Sequence, residues 1–488
     1  MFESAELGQT LTKERHKREA EKAREALLKA QDGLAASRSA AALIIGGVEG
    51  AGRTDFLNLL LEWMDPRAVQ VHALSEPTDE ERERPTFWRF WRRLPPRGRL
   101  SVFLGSWYTD PIVDRAFRRV GKDAFAVQLD RIAEFEAMLA REGVRLVKLW
   151  FHLSKRAQRE RFERLEADKD TRWRVTRQDW RFHERYDRFR KVSEEALLRT
   201  STGAAPWEVI EAADARWRDI AAAKRVIHGL EAAAAESARA AAPKPPLPKP
   251  KPGNLLRRLD LSRRLPEKEY EKKLEKWQGR VARLTRRLRE QGRSMILVFE
   301  GPDAAGKGGA IRRVAQTLDA RNYRVIATAA PDEQERGFPY LWRFWRDLPR
   351  LGRTTVYDRS WYGRVLVERL EGFCAPEDWK RAFAEINAFE AQVAEFGTVI
   401  LKFWVAISPQ EQLRRFRERE TVAYKKYKIG ADDWRNRAKW DAYEAAAVEM
   451  IERTSTPRAP WLLVEGNDKR WARVRVLKAV AAALEREL

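Results

Sequence analysis

The chain carries one cysteine, Cys374, in 488 residues. That excludes an internal disulfide framework and any cysteine-based metal cluster, and it suits a reducing, cytoplasmic setting. No apolar run approaches membrane-spanning length, so the chain is not expected to sit in a membrane. The opening residues, Met1-Phe-Glu-Ser-Ala-Glu6, contain no apolar stretch and read as helix rather than as a signal peptide. Acidic residues are in deficit, 73 Asp and Glu against 96 Lys and Arg, which leaves a net charge of +23. Solubility alone does not require so large an excess. It predicts a polyanionic partner: nucleic acid, anionic lipid or a phosphate polymer.

What the chain does have is an internal repeat. Shifted by 254 positions, the first half lies on the second without a gap over a long stretch. Gly47-Val-Glu-Gly-Ala-Gly-Arg53 falls on Gly301-Pro-Asp-Ala-Ala-Gly-Lys307, and Trp88-Arg-Phe-Trp-Arg92 on Trp342-Arg-Phe-Trp-Arg346. Ser106-Trp-Tyr108 falls on Ser360-Trp-Tyr362, and Pro206-Trp207 on Pro460-Trp461. Between Trp88 and Tyr108, 13 of 21 positions match, so the two halves are related domains. Residues 1–230 form the first and 254–488 the second. Between them, 231–253 hold the end of an alanine-rich helix (221–242) and Pro243-Lys-Pro-Pro-Leu-Pro-Lys-Pro-Lys-Pro252. Proline fixes φ and lacks a donor, which predicts an extended spacer.

Within each half, charge-rich helical segments (11–36 and 265–291) lead into short apolar runs, Ala41–Ile45 and Ser294–Phe299. Such runs, ended by glycine, read as buried parallel strands. Further strands are expected at Tyr323–Ala330, Thr354–Tyr357, Thr398–Ile407 and Trp461–Val464, with helices between. The pattern is that of an α/β fold, a parallel sheet flanked by helices.

Gly301-x4-Gly306-Lys307, between a strand and a helical segment at Gly309–Ala320, has the form of a phosphate loop. Gly301, Gly306, Gly308 and Gly309 let backbone N–H groups close around a phosphate, and Lys307 supplies a point charge. An ordinary loop follows its lysine with Ser or Thr to hold a metal; here Gly308 follows. Asp303 and Asp358 are the carboxylates placed to hold the ion instead. Asp358 and Arg359 end the strand at 354–357, where the ligand crevice of an open sheet lies. Glu368 sits on the helix that should follow. Glu335 is a nucleotide-side candidate. Residues 411–440 carry Arg414, Arg415, Arg417, Arg419, Lys425, Lys426 and Lys428 and read as a helical lid closing over phosphates. Arg415 and Arg419 stand out in it. Lys425, Lys426 and Lys428 are candidates for a polyanion track. The aromatic block Trp342–Arg346 recurs in both halves and reads as packing.

Taken together, Gly-x-Asp-x-x-Gly-Lys-Gly-Gly, Asp-Arg-Ser-Trp-Tyr and Asp433-Trp-Arg-Asn-Arg437 resemble the polyphosphate kinase 2 family. The tandem arrangement, with Tyr340–Trp345, Thr454-Ser-Thr456 and Pro460-Trp461, is similar to that family's two-domain branch. The resemblance implies two tandem P-loop kinase-like domains. It implies phosphoryl transfer between inorganic polyphosphate and a nucleotide, with Mg²⁺ (or Mn²⁺) as cofactor. It assigns the loop acid and lysine to Asp303 and Lys307, the second motif to Asp358 and Arg359, and the lid arginine to Arg419. Expected partners are polyphosphate and AMP or ADP, with no specific nucleic acid; homodimer formation is left open.

The first half lacks these groups. Lys307 is replaced by Arg53, Asp303 by Glu49, Asp358 by Leu104, Arg359 by Gly105 and Arg419 by Leu165. It is expected to be catalytically silent. The leading reading is transfer from polyphosphate to AMP. The alternatives are a polyphosphate-dependent kinase acting on ADP or GDP, a nucleoside-triphosphate-dependent small-molecule kinase, and a nucleic-acid-binding P-loop protein.

Overall fold

The computed structural model describes residues 1–236, 247–251, 253–423, 427 and 429–488. The chain divides into two compact units. Unit 1 comprises Met1–Pro77, Phe87–Arg239 and Pro331–Trp342; unit 2 comprises Thr78–Thr86, Ala240–Ala330 and Arg343–Leu488.

Each unit is built on a five-stranded, all-parallel sheet. In unit 1 the strands are β1 (Ala40–Gly47), β2 (Val69–Ala73), β3 (Leu100–Leu104), β4 (Val144–His152) and β5 (Trp207–Glu211), in the order β2-β3-β1-β4-β5. In unit 2, β6 (Met295–Glu300), β7 (Tyr323–Ala327), β8 (Thr354–Asp358), β9 (Val399–Ala406) and β10 (Trp461–Glu465) repeat that order as β7-β8-β6-β9-β10. The central strands β6 and β9 are buried along their whole length. A strand covered on both faces has no polar side, which explains the continuous apolar runs of the sequence.

The alternation of side chains assigns each face of the unit 2 sheet. Met295, Leu297 and Phe299 of β6 and Leu401, Phe403 and Val405 of β9 pack with the helices Glu267–Glu290, Lys307–Ala315 and Lys469–Glu487. The intervening residues, Glu300 among them, point to the opposite face, since side chains on a strand alternate. On that face Lys402 Nζ donates to Glu390 Oε2 (2.6 Å), to the Tyr362 hydroxyl (2.8 Å) and to the Thr454 carbonyl (2.7 Å). Glu390 Oε1 accepts from Trp361 Nε1 (3.0 Å) and Tyr362 Oη (2.7 Å). Unit 1 repeats the cluster 254 positions earlier with Lys148, Glu136, Tyr108 and Trp107. A buried pair is tolerated only when its remaining donors and acceptors are satisfied, as they are here.

Some boundaries shift from the sequence expectation. The helix after the phosphate loop starts at Lys307 and ends at Ala315, not at 309–320. Its start is set by Gly306, whose φ of 106° is open to glycine and costly to other residues. Its end is set by tightening, with Thr317 N bonded to the Val314 carbonyl and Leu318 N to the Ala315 carbonyl. Most of the proline-rich spacer lies outside the described residues. Residues 247–251 have no regular structure. Among the described residues no helix is long and apolar enough to cross a membrane.

Candidate active site

The site in unit 2 forms where β6 and β8 end side by side, with Phe299 opposite Asp358. Glu300 is the last residue of β6 and is 2% exposed. Its Oε1 accepts from Ser360 Oγ at 2.8 Å. Burial pushes this carboxyl above its ordinary range, and the nearby Arg359 and Lys307 charges pull it back down. The loop then turns at Gly301, where a side chain would collide with the Val405 carbonyl. Gly308 is exposed with open space beside it, and Gly309 lies against Arg473.

Lys307 folds back over the loop. Its Nζ donates to the Gly301 carbonyl at 2.7 Å and to the Pro302 carbonyl at 3.2 Å. Burial lowers its pKa, Arg359 lowers it further, and Asp303, Asp358 and Glu300 hold it up. Asp303 is engaged on every side. One carboxylate oxygen pairs with Arg359, the other accepts from Asn436 Nδ2 at 2.9 Å, and its carbonyl accepts from Gln412 Nε2 at 3.0 Å. Asn436 lies on the helix Ala431–Ala438, so the lid segment is bonded directly to the loop acid. The Asp358 carboxylate has no hydrogen bond or ion pair among the described residues.

Arg359 sits in the left-handed region at φ 64°. That conformation costs a non-glycine residue roughly 1–2 kcal/mol. Its counterpart Gly105 adopts the same bend at φ 81° without that cost. The backbone of both units therefore favours glycine here, and unit 2 carries an arginine against that preference. Such strain persists where the surroundings over-determine it, commonly at functional sites. Tyr443 joins the same cluster: burial raises its pKa, and its contact with Arg359 lowers it.

The other predicted residues fall in several places. Arg419 lies 3.9 Å from Asp433, which is on the helix that carries Asn436. Arg415 does not face a phosphate. It is 3% exposed, and its donors go to the carbonyls of Ala304, Ala305, Gly466 and Asn467 and to Glu411. It braces the loop from behind, where the lid reading set it over phosphates. Glu368 is paired with Arg364 at 2.9 Å. Glu335 closes a capping box with Asp332, in the segment that clusters with unit 1. Lys425, Lys426 and Lys428 lie outside the described residues.

Glu300, Asn436 and Tyr443 were missed, yet the repeat signals all three. Their counterparts are Gly46, Phe182 and Phe189. They are lost in unit 1 together with the counterparts of Asp358 and Arg359. The unit 1 loop is closed by its own ion pair, Arg53 to Glu49 at 2.6 Å. Arg161, the counterpart of Arg415, turns to Asp55 at 3.4 Å.

Comparison with known proteins identifies the family. The family model of polyphosphate kinase 2 matches residues 10–238 and again 264–488. The chain belongs to the polyphosphate kinase 2 family. It is 48% identical over 491 aligned residues to the polyphosphate:AMP phosphotransferase of Pseudomonas aeruginosa PAO1, covering 99% of each. It is 35% identical to that of Acinetobacter johnsonii, covering 91% of this chain and 90% of the relative. A solved structure from Pseudomonas aeruginosa PA01 assigned to polyphosphate kinase 2 superposes with a TM-score of 0.89 at 46% identity. The overlap covers 100% of this chain and 99% of the other. The two-fold polyphosphate kinase 2 match is the tandem repeat read from the sequence, and the α/β architecture is the one expected.

Proposed function

We propose that the chain transfers the terminal phosphoryl group of inorganic polyphosphate to AMP, forming ADP. The observation that carries this is the Lys307–Asp303–Arg359 cluster over a glycine loop, in a chain alike over its full length to polyphosphate:AMP phosphotransferases. A phosphate oxygen of AMP attacks the terminal phosphorus, the terminal anhydride P–O bond breaks, and the shortened polyphosphate leaves with the electron pair. The protein supplies positioning and charge rather than covalent chemistry. Lys307 Nζ, parked on the Gly301 and Pro302 carbonyls, exchanges them for oxygens of the transferring group. Arg359, aimed over the loop by its left-handed backbone, neutralises the same charge.

Asp358, whose carboxylate is uncommitted, and Asp303 fit a Mg²⁺ ion. Mg²⁺ takes one or two carboxylates and fills its remaining positions with phosphate oxygens and water, so no three-ligand protein cluster is required. None is present among the described residues. To ligate, Asp303 gives up Arg359 or Asn436. Bound there, the ion offsets charge on the phosphate chain. The single cysteine suits a cytoplasmic enzyme.

The test is an assay of purified protein with Mg²⁺, polyphosphate and AMP, ADP or GDP in turn, with ATP as an alternative donor and products resolved by chromatography. ADP should form from polyphosphate and AMP. Equal rates with ATP as donor would support the nucleoside-triphosphate-dependent reading instead.

A further inference from the structure

The repeat also exposes a difference behind the phosphate loop. The register holds to the start of each half: Leu11 and Leu265 are both buried, and the first long helices begin at Lys13 and Glu267. Phe2 therefore corresponds to Leu256. In unit 1, Phe2 is fully buried. Its ring lies parallel to His152 at 4.5 Å and stacks on Trp150 at 6.1 Å. In unit 2 the tryptophan is kept as Trp404, but His152 becomes Ala406 and Phe2 becomes Leu256. Two rings are lost from one place.

What remains is a cavity of about 270 Å³, bounded by Leu256, Leu259, Trp404, Ala406, Trp440 and Pro302. An apolar cavity of about 150 Å³ is enough to hold benzene. At its rim Arg257 is paired with Glu444 (2.6 Å) and Asp441 (3.4 Å). The arginine is thereby neutralised and one acidic group remains in excess, which disfavours an anionic occupant. A second nucleotide or a phosphate chain is a poor match for such a rim. The cavity touches the phosphate loop at Pro302, and Tyr443, which contacts Arg359, also lines it.

We propose that this cavity is a binding site for a neutral planar aromatic molecule of one or two fused rings, stacked against Trp404 as Phe2 stacks against Trp150. The chemistry of the occupant is set by unit 1, where the chain fills the same place with its own ring. An occupant here lies against Pro302, so binding is coupled to the loop that holds Lys307.

The experiment uses the full chain with indole as probe, followed by ligand-observed NMR, and benzoate as the anionic control. Indole should bind saturably at one site. Leu256→Phe, which restores the arrangement of unit 1, should weaken it by on the order of tenfold or more while basal transfer to AMP persists. If Leu256→Phe lowers the melting temperature sharply, Ala406→Leu fills the cavity from the sheet side and should weaken indole in the same way. Absence of saturable indole binding to the natural chain overturns the proposal. So does equal binding to the natural chain and a folded filled variant, or benzoate binding as tightly as indole.

Discussion

Two copies of one fold in a single chain make each residue of the site its own comparison. Lys307 and Asp358 belong to the set that unit 1 has lost, whereas Gln412 and Arg415 are kept there as Gln158 and Arg161. We propose that residues of the first kind serve the transfer; those of the second, Gln412 and Arg415, brace the loop in unit 2. Lys307→Ala and Asp358→Asn should each lower turnover by on the order of 10²–10³ with an unchanged melting temperature, since each removes one preorganised charge contact. Near-normal rates in either would overturn the assignment. Arg53→Ala should change the rate far less, because Leu104 and Gly105 stand where the acid and arginine would be. Arg359→Gly removes the left-handed strain along with the guanidinium. It should abolish most transfer without a fall in melting temperature, and a clear fall would mean that the Asp303 pair stabilises more than the strain costs.

Among the elements, the strands were legible because a central parallel strand is apolar along nearly its whole length, as Ile296–Phe299 is and as Val399–Val405 is apart from Lys402. Gly301, Gly306 and Lys307 were legible because a phosphate loop needs glycine and lysine at fixed spacing. Glu300, Asn436 and Tyr443 follow no such spacing and are signalled only by comparing the two halves, because each acts through a neighbour brought close by folding: Ser360, Asp303 and Arg359. The role of Arg415 was misread for the same reason, since carbonyls that accept its donors leave no mark in the sequence. The buried Lys402–Glu390 pair is legible only through its twin. Lys402→Met alone leaves a buried carboxylate uncompensated and should cost about 3–5 kcal/mol, while pairing it with Glu390→Leu should recover much of that. Denaturant unfolding of the single and double variants reads this directly. His152 makes a second element-scale test. Burial lowers its pKa, with Glu6 at 2.8 Å pulling the other way. A base kept neutral in the fold binds its proton more readily when unfolded. Its stabilisation is therefore full above its ordinary pKa of about 6.5 and is lost as pH falls below that toward the folded value. Unit 2 has Ala406 there and escapes this effect, so His152→Ala should flatten the acid side of the pH–stability profile of unit 1 alone.

For the whole molecule the controlling quantity is the net charge of +23 against a substrate that is a linear polyanion. Each phosphate neutralised on binding releases counterions, so affinity for polyphosphate should fall steeply with salt. The log–log slope should change by roughly 0.7–0.9 per contact if nucleic-acid behaviour carries over to this polymer. AMP carries far fewer charges and should show a much shallower dependence. The lysines at 425, 426 and 428 are the sequence-level candidates for part of that slope. Their counterparts in the first half are Thr171, Arg172 and Arg174, and Arg174 is already committed to Asp55 at 2.5 Å. Only Arg172 of those three positions is a cation without that commitment, so the first half has little to offer a phosphate chain there. Replacing Lys425, Lys426 and Lys428 together with alanine should flatten the salt slope and weaken polyphosphate more than AMP, as measured by titration at several ionic strengths. An unchanged slope would place the polyphosphate track on other cations of the chain and reduce the lid lysines to a solvated face.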